Sequence, residues 1–429
     1  MSYAQSPGVR AALLYSQDNR GLGHITRTLT IARHLLAAHP DFVAWIVTRS
    51  KFAHNFVLPH QCDYVKLPSR KTPHTVERTP EHEEVSKVHF RTLRAQILRD
   101  VALGLGPDLV IVDHEPLGSS GEFRAGLWAL KQQNPATKFI FGLRDIMDDP
   151  DRIRAAWRQM GVYEAFQDLY DGIAVYGSRA LYDVAEAYDI PPSARSKLHY
   201  CGFIVRDPPP RLEPAKLREQ FGLPPDGRLV LATVGSGYDG YPVLEAALTA
   251  IKQVQATHRD LVALVVMGPF MPEPEQALLQ ARADAKCRVI LQADCFQLMQ
   301  AADAVVSMGG YNSVCEALFS ARPLVIVPRA THKIEQQIRA AALAARGLAR
   351  WVHPKALNSD ELVAALEWAL QCDPEAHARL VRQVIPSFDG AARLTEYLSD
   401  WLRPEKAVEK AVESSFVCAS VSNPIASSA

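Results

Sequence analysis

Short apolar runs alternate along the chain with glycine-bearing polar turns and with longer stretches whose apolar residues recur at helical spacing. Residues 9–16 form an apolar run that feeds a polar loop, residues 17–24. Beyond it, Ile25, Leu29, Ala32 and Leu36 predict a helix over residues 25–38, with no proline before Pro40. A second strand is expected over residues 42–48, an amphipathic helix over 88–103, and further strands over 107–116, 138–145 and 173–178. Residues 66–85, rich in proline, threonine and charge, read as a long loop. At residues 201–214 the pattern stops. Pro208, Pro209 and Pro210 can continue neither a helix nor a central strand, so this stretch is a stiff connector. A second series then begins: strands over 229–234, 261–267 and 287–291, a short helix over 296–301, strands over 304–307 and 323–327, and helices over 339–345 and 359–371. Strand, glycine turn and helix repeat in both halves, which predicts an α/β chain of two doubly wound parallel sheets. The expected boundaries are 1–205 for the first domain, 206–214 for the linker and 215–390 for the second domain. Periodicity fades after Pro404, so residues 404–429 read as a disordered tail.

The candidate chemistry collects at the ends of these strands. The turn Gly309-Gly310 precedes a helix expected from about Asn312, with Asn312 or Ser313 as its cap. Free N–H groups and the positive helix end there suit an anion such as a diphosphate. Glu316, about one turn on, is placed to accept hydrogen bonds from vicinal hydroxyls. Gly235-Ser236-Gly237 repeats the glycine turn after an earlier strand, and Glu335 and Gln336 follow a later one. In the first half, Gly21-Leu-Gly23 is an incomplete dinucleotide fingerprint, with Thr26 where the third glycine belongs, which argues against an NAD site. His24 stands where that loop meets a helix. There the dipole disfavours the imidazolium and leaves the ring able to accept a proton, unless the histidine merely caps the helix. Asp113, His114 and Glu115 close another strand. Three adjacent residues seldom point at one ion, so no metal site is expected.

Composition narrows the classes. The 429 residues are 48% hydrophobic, enough for two domain cores. Lysines and arginines (47) equal aspartates and glutamates (47), which argues against a nucleic-acid binder. No run approaches the ~18 apolar residues of a membrane helix. Residues 1–10 lack a hydrophobic signal core, and the seven cysteines are scattered without a CxxC pair. Both features point to a cytoplasmic protein with reduced thiols.

The order of these motifs carries a resemblance. Gly-Leu-Gly-His before a helix, a proline linker, Val-Gly-Ser-Gly, and Gly-Gly-Tyr-Asn-Ser-Val-Cys-Glu followed by Glu-Gln-Gln together resemble GT-B glycosyltransferases. Within that fold the chain is most similar to the MurG-like, family-28-like group. The likeness spans residues 9–402 and is most specific over 310–316 and 328–337. It implies two Rossmann-like domains facing across a cleft, the nucleotide-sugar donor in the second and the acceptor in the first. It also implies a final helix, expected over residues 391–403, that crosses back to the first domain. By resemblance, Glu316 would bind the ribose, and Asn312, Ser313, Gly309, Gly310 and Gly235–Gly237 would surround the diphosphate of a UDP-sugar. Glu335 and Gln336 would bind the donor sugar, and His24 would lie at the transfer point beside the Gly21–Gly23 loop. His24, or else Asp113 or His114, would act as the base; neither a metal nor another cofactor is implied, and inversion is. The first loop departs from MurG itself, which leaves the acceptor open among small molecules, glycans and lipids, with peripheral membrane contact in the last case. Two rival readings share the architecture: a nucleotide-sugar 2-epimerase and a nucleotide-sugar-binding protein without catalysis.

Overall fold

The computed structural model describes residues 9–17, 22–69, 80–329, 333–357 and 360–402, without the side chains of 80–86. Gly21, residues 70–79 of the 66–85 stretch, Thr331, His332 and the tail lie outside the described residues.

Two parallel sheets carry the chain. The first contains β1 (Arg10–Ser16), β2 (Phe42–Thr48), β3 (Cys62–Lys66), β4 (Leu109–Asp113), β5 (Lys138–Arg144), β6 (Gly172–Tyr176) and β7 (Leu198–Tyr200). Its strand order is β3-β2-β1-β4-β5-β6-β7. The second contains β8 (Leu229–Thr233), β9 (Val262–Val266), β10 (Cys287–Ile290), β11 (Ala304–Ser307), β12 (Leu324–Ile326) and β13 (Ala349–Trp351), in the order β10-β9-β8-β11-β12-β13. Every residue of β4, β6, β8 and β9 is buried, because helices cover both sheet faces. The strand order reverses between β1 and β4 in one sheet and between β8 and β11 in the other. Registers such as Tyr15 to Val112 and Thr233 to Ser307 bring those carboxyl ends level. A doubly wound sheet opens its ligand crevice at that reversal.

The core is continuous between the two halves. One cluster of buried side chains runs from Leu14 and Tyr176 through Phe203, Ile204 and Tyr311 to Val305. The last described helix, Gly390–Leu402, buries Leu394, Leu398 and Leu402 at every fourth position and packs along the Gly23–Ala38 helix of the first domain. There Tyr397 stacks on His199 at 4.1 Å, and His39 Nε2 meets Ser399 Oγ at 3.0 Å.

Three local expectations are corrected. The helix expected from residue 88 begins at Pro80, inside the stretch read as a loop. Proline at the first helical position, followed by Glu81, Glu83 and Glu84, is a helix-start signal that overall composition hides. The helix expected from 339 begins at Glu335. The helix expected from Asn312 begins at Tyr311, with Gly310 as N-cap and no side-chain cap, so neither Asn312 nor Ser313 has that role. Among the described residues, no helix is long and apolar enough to cross a membrane.

Candidate active site

The reversal between β1 and β4 assembles the first half of the site. His24 is the second residue of the Gly23–Ala38 helix, and Leu22 is the N-cap, so the ring does not cap the helix. Its Nδ1 lies 2.6 Å from Oδ2 of Asp113, the last residue of β4. Arg27, one turn further along the same helix face, grips that carboxylate through Nε and Nη2 at 2.8–3.0 Å. The Arg27 and Asp113 side chains are each 2% exposed. Burial alone would raise the Asp113 carboxyl, but Arg27 and the His24 hydrogen bond outweigh it and hold the group below the usual range. An ionised Asp113 can only accept, so its 2.6 Å contact calls for a proton on His24 Nδ1, and Arg27 Nη2 lies 2.9 Å from the same nitrogen.

His114 follows in a left-handed conformation (φ 68°), its ring centroid 4.7 Å from that of His24. It is buried, and its Nδ1 has no hydrogen-bond partner among the described residues. Burial, with Arg144, His24 and Lys333 adding to it, pushes this imidazole well below its ordinary range, so it stays neutral. Glu115 is pushed up by its own burial. Among the described residues, no group of three His, Cys, Asp or Glu side chains is placed to hold a metal ion.

The second half lies at the reversal between β8 and β11. Gly235 (φ 66°) and Gly237 (φ 89°) shape the loop after β8, and a Cβ on Gly237 would come within 2.4 Å of Met267 O. Ser236 is half-buried in the same loop, and its carbonyl accepts from Phe270 N at 2.8 Å. After β11, Gly309 has φ 82° and a Cβ there would strike Ile326 at 2.8 Å. Gly235 and Gly310 have open space on the side where a Cβ would stand. With no side-chain cap, the first amides of the Tyr311–Phe319 helix keep their capacity for an anion. Ser313 is half-buried in that first turn. Glu316 is 9% exposed and accepts from Arg206 Nε at 2.8 Å. Glu335 is buried, with Oε2 unpartnered among the described residues. Gln336 instead folds onto its own loop, its Oε1 accepting from Arg329 N at 2.9 Å.

These halves meet. Asn312 Nδ2 donates to Gly23 O at 3.3 Å, joining the Tyr311–Phe319 helix to the residue before His24. The Tyr311 hydroxyl oxygen accepts from Ile204 N in the linker at 3.0 Å, and Arg27 lies over the Tyr311 ring at 5.2 Å. Arg339 binds both oxygens of Asp145 at 2.7 and 2.8 Å, and its third contact is Gly309 O at 2.8 Å. Ile334 N donates to Asp148 at 2.8 Å, and Phe52 stacks on Phe270 at 4.7 Å. A narrow crevice bounded by Thr26, Arg27, Thr30, Arg206, Asn312 and Glu316 remains between the helices, with about 10 Å³ of space, no more than one water needs.

Sequence reading missed Arg27, Arg206 and Arg339. Arg27 left a signal, since a residue three after His24 shares its helix face. Arg206 left none, because it stands in the stretch read as a connector.

Comparison with known proteins agrees with this geometry. Residues 229–382 match the glycosyltransferase family 28 C-terminal domain. An uncharacterized glycosyltransferase of Methanopyrus kandleri, MK0977, is 24% identical over 187 residues, which is 43% of this chain and 50% of that protein. The matched stretch therefore spans about half the length of that relative. The calicheamicin glycosyltransferase CalG4 superimposes with a TM-score of 0.64 at 17% identity, covering 92% of this chain and all of that one. A UGT transferase from Siraitia grosvenorii, solved in complex with UDP, superimposes with a TM-score of 0.57 at 13% identity over 92% of this chain and 100% of that one. The fold is thus GT-B, and the second domain resembles glycosyltransferase family 28.

Proposed function

We propose that the protein is a glycosyltransferase that moves a sugar from a UDP-sugar to a hydroxyl of an acceptor. The carrying observation is the His24–Asp113 pair, set by Asn312 and Gly23 against the open glycine turns of the other domain. Asp113 fixes the imidazole with its proton on Nδ1, and Nε2 takes the acceptor's proton as its oxygen attacks the anomeric carbon. The bond to the diphosphate breaks in the same step. The Ser236 amide in the Gly235–Gly237 loop and the amides at the start of the Tyr311–Phe319 helix stabilise the charge that grows on the leaving group, a role that requires no metal. A base on the acceptor side and anion stabilisers on the leaving-group side suit a single displacement, with inversion. Glu316 receives the ribose hydroxyls, and the unpartnered Oε2 of Glu335 receives a hydroxyl of the transferred sugar. The UDP bound by the Siraitia grosvenorii neighbour supports the choice of nucleotide. The six described cysteines, all free thiols, suit a reducing compartment and hence the cytoplasm.

The test is a thermal-shift panel of nucleotide sugars followed by product analysis. A UDP-sugar should raise the melting temperature, survive incubation alone, and release UDP when an acceptor is supplied. A donor sugar epimerised without acceptor would make the protein an epimerase. Binding with no turnover on any acceptor class would favour the non-catalytic reading, and no binding at all would overturn the donor assignment.

A further inference from the structure

We infer that Arg206, in the segment joining the two domains, is a positioning residue of the donor site that holds the Glu316 carboxylate ionised and aimed at the nucleotide's ribose. The inference rests on the donor reading above and adds to it a residue from outside the donor domain's own strand ends.

The geometry is specific. Arg206 donates through Nε to Glu316 Oε1 at 2.8 Å and through Nη1 to Asp294 Oδ2 at 3.0 Å, and its Nη2 also meets Asp294 Oδ1. Asp294 is itself held, since its Oδ1 caps the Cys295–Ala301 helix by accepting from Phe296 N and Gln297 N. The guanidinium also lies over the Phe296 ring at 5.1 Å. Its reach toward Glu316 is therefore fixed at the far end. One Glu316 oxygen is used by Arg206, and an ionised carboxylate retains acceptor capacity on both oxygens.

The charge matters because Glu316 is nearly enclosed. Burial raises its carboxyl above the usual range, Arg206 pulls it back down, and Asp294 pushes it up. The other titratable groups around it are the thiols of Cys295 and Cys315 and, across the same crevice, Arg27. Without Arg206, the carboxyl faces burial and Asp294 with its nearest cation gone. It then takes up a proton at higher pH and loses the charge that strengthens hydrogen bonds from ribose hydroxyls. A carboxyl whose pKa is raised regains its charge as pH rises, so the loss caused by removing Arg206 is largest at low pH.

The experiment is titration calorimetry with UDP on wild type, Arg206→Gln, Arg206→Lys and Glu316→Ala between pH 6 and 9. Each variant is read as a ratio to wild type, in which the titration of the UDP phosphate cancels. Arg206→Gln should bind UDP about tenfold or more weakly at pH 7, with the deficit shrinking toward pH 9. Arg206→Lys should recover most of the affinity, and Glu316→Ala should show a deficit that does not depend on pH. A pH-independent deficit in Arg206→Gln would mean a purely structural contact and overturn the inference. So would unchanged affinity, or tighter binding, which would mean that Arg206 competes with the ribose. In those cases weak binding by Glu316→Ala still supports the donor reading. Wild-type affinity in Glu316→Ala would overturn the donor reading itself.

Discussion

Asp113→Asn, compared with the double variant Arg27→Met/Asp113→Asn, separates chemistry from folding. The carboxylate orients His24 and neutralises Arg27, whose side chain is 2% exposed. Asparagine keeps the volume and removes the charge. Taking away one partner of a buried ion pair costs roughly 3–5 kcal/mol, because the remaining charge has no solvent to turn to. His24 also loses the acceptor that fixes its tautomer, so turnover should fall on the ~10²–10⁴-fold scale of a lost general base. UDP affinity should change little, because the proposed UDP site lies at the strand ends of the other domain. The double variant Arg27→Met/Asp113→Asn removes both charges and should regain much of the stability, while turnover stays low. Acid unfolding supplies a second reading. A carboxyl held low in the folded state contributes stability above its unfolded value, near 3.9, and that stability is lost as pH falls through the folded value. The variant should lack this part of the acid limb. Turnover by UDP release, calorimetry and denaturant midpoints on purified protein check these expectations. Near-wild-type turnover in a folded Asp113→Asn would refute the dyad.

Two further outcomes are expected. His114 is kept neutral by burial, so only the unfolded chain takes up its proton as pH drops through about 6.5. Stability should therefore fall from pH 7 toward pH 5, by up to about 1.4 kcal/mol per pH unit for this group. His114→Asn, which tolerates the left-handed backbone, should flatten that slope in pH-dependent denaturation; His39, His199 and His377 supply the remainder, and an unchanged slope would count against the assignment. In the proposed reaction amides and a helix end stabilise the leaving group, so transfer should continue in excess EDTA. Complete loss restored by magnesium would show that a metal supports the diphosphate instead.

The fold was largely legible because buried parallel strands are continuous apolar runs and each is punctuated by glycine. The strand ends gave His24, Asp113, Gly235, Gly309 and Glu316 as candidates, and the two order reversals explain why such residues gather. Helix starts were less legible. Pro80 and Glu335 open helices in stretches whose composition resembles loops, and Tyr311, an apolar residue beside a glycine turn, gives no capping signal. Contacts between the domains were not legible. Nothing in the local pattern around Asp145 announces Arg339, 194 positions away, and nothing in a proline-rich connector announces that Arg206 reaches Glu316. Such pairings depend on how two sheets are set against one another, which no window of sequence contains.

The return of the Gly390–Leu402 helix to the first domain has a consequence for synthesis on the ribosome. Leu394, Leu398 and Leu402 cover the helix that begins at Gly23, and Arg10 donates to the carbonyl of Leu402. The first domain therefore emerges without one of its own layers and waits for the whole second domain to be made. At about 5–20 residues per second, the roughly 200 intervening residues take on the order of 10–40 seconds. During that interval the apolar face of the Gly23–Ala38 helix, on which the last helix packs, stands uncovered. The first domain's last layer is thus added only after residues 390–402 have been made.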